Sequence, residues 1–140
     1  MKDVKNLINH REFRTDRETV LYVHGWIQNY KSNATQTVTK AYIDRNAHSL
    51  QKHNYIVVDW GQYSVGEYIF TIFKFTQIAK NVGKKLVMLF DKGLDSKKVH
   101  CVGHSFGAHF CGILGREIIK ISRGKYKLKR YLINCDCENI

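Results

Sequence analysis

The sequence predicts an α/β fold with a mostly parallel sheet, and three observations carry that prediction. Tyr55-Ile56-Val57-Val58-Asp59-Trp60 is a continuously apolar strand, as expected where a parallel sheet is covered on both faces. Between the apolar runs lie segments whose apolar residues recur at helical spacing, so the strands are joined by crossover helices. A further run, Val99-His100-Cys101-Val102, passes through Gly103-His104-Ser105-Phe106-Gly107 straight into a helix-compatible segment.

Taken in order, Val20-Leu21-Tyr22-Val23 is the first strand and runs into His24-Gly25-Trp26. Residues 35–52 offer a helix crossing to the second strand, with Val38, Ala41, Tyr42 and Leu50 towards the sheet. Residues 61–76, rich in Tyr and Phe, fit either a substrate-facing loop or core. Gln77 to Lys92 is a clearer helix, because Ile78, Val82, Leu86, Leu89 and Phe90 recur at helical spacing and Gly93 ends it. Asp95-Ser96-Lys97-Lys98 turns the chain into the third strand. Phe106 to Ile121 continues as a helix that stops near Gly124, and Tyr131-Leu132-Ile133-Asn134-Cys135-Asp136 is the last strand.

Gly-x-Ser-x-Gly between a strand and a helix is the sequence form of a nucleophile elbow. At Gly103 and Gly107 a side chain would collide with the neighbouring strand or helix, because the turn is so sharp. Ser105 then takes strained backbone angles that lift its hydroxyl above the sheet, and the first helix amides point at whatever reacts there. Attack on a carbonyl also needs preorganised donors for the oxyanion. Phe106 supplies one backbone amide in this geometry. Trp26, just past the first strand, is placed to supply the other.

These pieces resemble the animal pancreatic-type lipase family, and within it the arthropod lipases and venom phospholipases A1. The matching residues are Tyr22-Val23-His24-Gly25-Trp26, Val57-Val58-Asp59-Trp60-Gly61, Asn81-Val82-Gly83 and Gly103-His104-Ser105-Phe106-Gly107-Ala108-His109. The resemblance runs in order from about Arg14 to Gly124. It implies an α/β-hydrolase fold and a Ser–Asp–His triad, in that chain order, acting on lipid or phospholipid esters. Ser105 maps onto the nucleophile and Asp136 onto the acid. The strand before Asp136 departs from the family's Gly-Leu-Asp-Pro-Ala: Asn134 stands for the glycine, Cys135 for the leucine and Cys137 for the proline. Asp59 is a competing acid, but in this family it precedes a structural Trp.

The triad histidine should follow the acid, yet only Cys137, Glu138, Asn139 and Ile140 come after Asp136. The seven histidines lie upstream, and none fits the family order. Residues 1–140 therefore read as an incomplete α/β-hydrolase domain, without its N-terminal signal region and its C-terminal histidine and lid part. The expectation is a carboxylic ester hydrolase of triacylglycerol lipase or phospholipase A1 type, with little turnover from these residues alone. The rival from another class is a catalytically inactive, lipase-derived lipid-binding or storage protein.

Net charge is +11, with Lys125, Lys127, Lys129 and Arg130 beside the last strand. Such charge suits association with an anionic lipid surface. A basic module for nucleic acid ranks last, because the charges alternate with apolar residues and no nucleic-acid motif is present. Cys101 and Cys111 read as buried small hydrophobes, whereas Cys135 and Cys137, two residues apart on the last strand, do not easily pair with each other. No ligand set has metal-site spacing, and no cofactor is implied. Asn33-Ala34-Thr35 is an N-glycosylation acceptor pattern. The family is normally secreted, although the first residues here lack the apolar core of a signal peptide.

Overall fold

A computed structural model describes residues 4–64 and 68–134. The elements run α1 (Val4–Ile8), β1 (Thr19–Val23), α2 (Asn33–His48), β2 (Asn54–Val58), α3 (Tyr68–Asp91), β3 (Val99–His104), α4 (Phe106–Ile121) and β4 (Arg130–Asn134), with short 3-10 turns at Gly61–Tyr63 and Ser96–Lys98. The four strands form one sheet in the order β2-β1-β3-β4, and every pairing is parallel. The predicted α/β architecture is the one observed.

The sheet separates two kinds of packing. On one face Leu21, Val23, Val99 and Cys101 join Phe75, Val82, Leu86, Leu89, Phe110, Leu114 and Ile118 from α3 and α4 in the main core. The predicted helical stripe of α3 is therefore the one that is buried. Leu94 N–H bonds to Leu89 O at 3.1 Å across Gly93, whose φ of +102° makes it the left-handed residue of a Schellman-type stop. On the other face Tyr55 stacks between Tyr22 and Tyr42, and α2 lies over them.

Three expectations need correction. The sheet-facing side of α2 is Thr35, Thr39, Tyr42 and Asn46, whereas Ala41 and Leu50 are exposed. The helix stops at His48, so Leu50 is carried off its face into the loop. Next, α3 starts at Tyr68 rather than Gln77, and the aromatic stretch divides: Phe75 is core while Phe73 is exposed. Finally, Cys101 and Cys111 are not free hydrophobes. They form a disulfide with Cα atoms 5.7 Å apart, because the elbow folds α4 back over β3. Closing so short a loop in the unfolded chain is worth about 2–3 kcal/mol.

At the N-terminal end of the strands, Asn54 Nδ2 donates to Thr19 Oγ1 (2.9 Å) and Arg14 O (2.7 Å), tying the leading segment to the sheet. Glu18 sits 2.7 Å from Lys129 Nζ, 3.4 Å from His53 Nε2 and 3.6 Å from His100 Nε2. The bond from Lys129 holds the Glu18 carboxyl below its usual range, and burial pushes His100 down. Below about pH 6.5 the unfolded chain takes a proton at His100 that the folded chain resists, so stability falls on acidification through that range. Glu18 adds a second fall below its ordinary range near 4.5. Thermal melts from pH 7 to 5 should thus decline, and His100→Gln should flatten the slope. An unchanged slope in that variant would remove His100 as the cause.

Candidate active site

The site is built by register. Val23 of β1 pairs with Gly103 of β3, so His24-Gly25-Trp26 and His104-Ser105-Phe106 emerge side by side at the C-terminal edge. That edge is where open parallel sheets place reactive groups. Ser105 lies between β3 and α4 with φ +51° and ψ −120°, a conformation that L-residues rarely take. It occupies the N-cap position but makes no side-chain cap bond, so its hydroxyl does not serve the helix amides. Phe106 opens α4, and its N–H belongs to the first turn, where no intrahelical carbonyl is available.

The two glycines of the turn are in backbone contact with their surroundings. A Cβ on Gly103 would overlap the Gly107 carbonyl group, and one on Gly107 would overlap the Val23 carbonyl oxygen. The loop after β1 rides directly on the elbow, since a Cβ on Gly25 would lie 3.2 Å from His104 Nδ1.

That loop is held by a buried histidine. His24 Nδ1 lies 2.9 Å from Gly25 O, which can only accept, so this nitrogen carries a proton. Nε2 faces Asp59 Oδ1 at 3.0 Å and the Trp60 N–H at 3.1 Å. The first contact suits a protonated Nε2 and the second a bare one. Gly25 C=O and Trp26 N–H share a planar trans peptide, so pinning the carbonyl directs the Trp26 N–H the opposite way. Gln28 Oε1 accepts from Gly25 N–H at 3.0 Å, and Ile27 takes a φ of +55°, which closes the turn tightly.

Sequence reasoning named His24 and Asp59 but missed their pairing. Strand register makes the pairing, because Val23 and Val58 are partners and His24 and Asp59 are each the next residue along. Of the other histidines, His53 and His100 lie at the opposite end of the sheet, and His109 is exposed with its ring 6.0 Å from that of Phe106. Asp136 lies outside the described residues; β4 reaches the elbow's edge with Asn134 opposite His104. Asn33 is the exposed first residue of α2, and Thr35 is fully buried. Clefts of about 640 and 710 Å³ include Glu18 and His53 in one case and Tyr55 and Ile43 in the other; neither includes Ser105. Backbone strain rather than cleft volume marks the elbow, Ser105 being one of three non-glycine residues with positive φ, with Ile27 and Arg123, among the described residues.

A parallel sheet with a strained serine between strand and helix defines a partial α/β-hydrolase fold. The family model described as Lipase matches residues 1–131, and the chain belongs to that family. It is 31% identical over 120 residues to pancreatic triacylglycerol lipase of Mus musculus, covering 82% of this chain and 24% of that protein. Pancreatic lipase-related protein 2 of the same species is 30% identical over 119 residues, covering 79% and 22%. Inactive pancreatic lipase-related protein 1 of Homo sapiens is 28% identical over 112 residues, covering 79% and 23%. The chain thus spans about a quarter of the length of these relatives.

Proposed function

We propose that this chain carries the nucleophile and the oxyanion donors of a carboxylic ester hydrolase acting on lipids, of triacylglycerol lipase or phospholipase A1 type. The backbone of Ser105 beside the His24-Gly25-Trp26 loop carries the reading. Ser105 Oγ attacks the acyl carbonyl carbon, and the oxygen that gains the electron pair is received by the N–H groups of Phe106 and Trp26. Asp136 orients a histidine that takes the serine proton and returns it to the departing alcohol; water then releases the acid. Gly103 and Gly107 serve the turn.

Trp26, Ile27 and Tyr30 follow the first strand with exposed apolar side chains, which suits an acyl substrate and adsorption to a lipid surface. The buried disulfide and the exposed Asn33 of the acceptor pattern support an extracellular site of action, since disulfides persist where the environment is oxidising.

The test is ester hydrolysis by the product of the full gene, using a short-chain p-nitrophenyl ester and a triacylglycerol emulsion. Ser105→Ala should lower the rate by about 10³-fold or more. Equal rates in both proteins would refute the serine mechanism. Residues 1–140 alone should turn over little, and strong Ser105-dependent hydrolysis by them would show that an upstream histidine serves as base. A non-catalytic lipid-binding role is the second reading. It is favoured by the likeness to a relative named inactive, and it predicts lipid binding that survives Ser105→Ala without hydrolysis in either protein.

A further inference from the structure

We propose that the Cys101–Cys111 disulfide is a positioning pair for Ser105, a clamp that holds the elbow's backbone in its strained shape; this rests on the reading of Ser105 as nucleophile. The bond joins residues ten apart in sequence, and Ser105 lies between them. Cys101 belongs to β3 and Cys111 to α4, the two elements that the elbow joins. Both side chains are fully buried.

Their level in the fold is what gives the bond this role. The residues of β3 that face α4 are Val99, Cys101 and Gly103. At Gly103 strand and helix are in backbone contact, with no room for a Cβ. Cys101, two residues back, is the next inward position, so the disulfide is the first side-chain layer beneath the crossing. A left-handed, non-glycine Ser105 persists only where the surroundings over-determine it. The glycines permit the close approach, and the covalent bond enforces it.

Reduction reverses this. The S–S bond takes two electrons and two protons from a dithiol such as dithiothreitol, which leaves as its cyclic disulfide. Two thiols need more room than one disulfide, because unbonded sulfurs cannot approach to bonding distance. In a close-packed interior that room comes only from β3 and α4 moving apart, directly under Ser105.

A purely structural staple would lower the stability of the whole chain evenly; a clamp loosens the elbow first. Residue-resolved amide hydrogen exchange by NMR separates the two, on the oxidised chain, the dithiothreitol-reduced chain and a C101A/C111A variant. Ala108 N–H, bonded to Ser105 O at 2.9 Å, reports the elbow, and amides of Leu21 and Leu86 report the core. The expected result is exchange at Ala108 accelerated in both altered forms by about tenfold or more beyond any acceleration of the core amides. The Ser105 chemical shifts should also leave their left-handed values. Equal acceleration everywhere, no change at Ala108, or wholesale unfolding on loss of the bond would each overturn the proposal. Full recovery of protection in C101V/C111A would overturn it too, since packing without a bond would then suffice. These measurements read geometry without chemistry, so a failed clamp and a failed nucleophile give different results.

Discussion

Gly107→Ala is expected to destabilise the chain by about 4 kcal/mol or more, enough to leave a domain of this size largely unfolded. The new Cβ would overlap the carbonyl oxygen of Val23, with that residue's carbonyl carbon at 2.8 Å and His24 O at 2.9 Å. All of these are backbone atoms, so no side-chain rotation relieves the clash. Val23 is also the last residue of β1, paired on both sides, and cannot retreat without breaking the sheet. Gly103→Ala meets the same obstacle at the Gly107 carbonyl. Gly112→Ala is the contrasting substitution. It lies in the same helix, exposed, with nothing within 4 Å of its Cβ, and should stabilise by about 0.5–1 kcal/mol. Urea unfolding of the three variants checks the order. A Gly107→Ala chain that unfolds at the wild-type midpoint would mean that the elbow is far looser than described.

The elbow was legible because its constraint is local: Gly-x-Ser-x-Gly has meaning only between a strand and a helix, and both flanking runs announce themselves by spacing. The core stripe of α3 was legible for the same reason, with Val82, Leu86 and Leu89 repeating at helical intervals. The stripe of α2 was not. Its sheet-facing positions are the buried Thr35 and the half-buried Thr39, Tyr42 and Asn46, mostly polar groups, as when Asn46 Nδ2 donates to His53 O at 2.9 Å. A hydrophobicity pattern finds Tyr42 but not Thr35, Thr39 or Asn46, and points instead to Ala41 and Leu50. Pairing was harder still. Cys101 with Cys111, and His24 with Asp59, meet only because strand register and the sharpness of the elbow bring separate residues together, and neither is written in spacing alone.

Trp60→Ala is expected to lower stability by about 3–5 kcal/mol, whereas Trp60→Phe should lower it by only about 1–2 kcal/mol. The indole is 1% exposed, stacked on His24 at 5.4 Å, edge-on to Phe75 at 5.0 Å and 5.9 Å from the ring of Phe106. Alanine empties that volume and leaves a cavity. Phenylalanine keeps a ring there but deletes Nε1–H, which donates to His24 O at 2.9 Å, so a buried carbonyl is left without its donor. The gap between the two variants therefore measures ring packing, and the remainder measures the hydrogen bond. If Trp60→Phe proved as harmful as Trp60→Ala, the polar contact would dominate and the stacking would matter little. The consequence for the site follows from what this one ring touches. His24 holds the Gly25–Trp26 peptide, and Phe106 begins the helix after Ser105, so Trp60 touches both the residue that pins one proposed oxyanion donor and the ring of the other. On the proposed function, ester hydrolysis by the full gene product carrying Trp60→Phe should fall through the rate constant rather than through substrate affinity, because the donors would lose alignment while the exposed apolar surface stays intact.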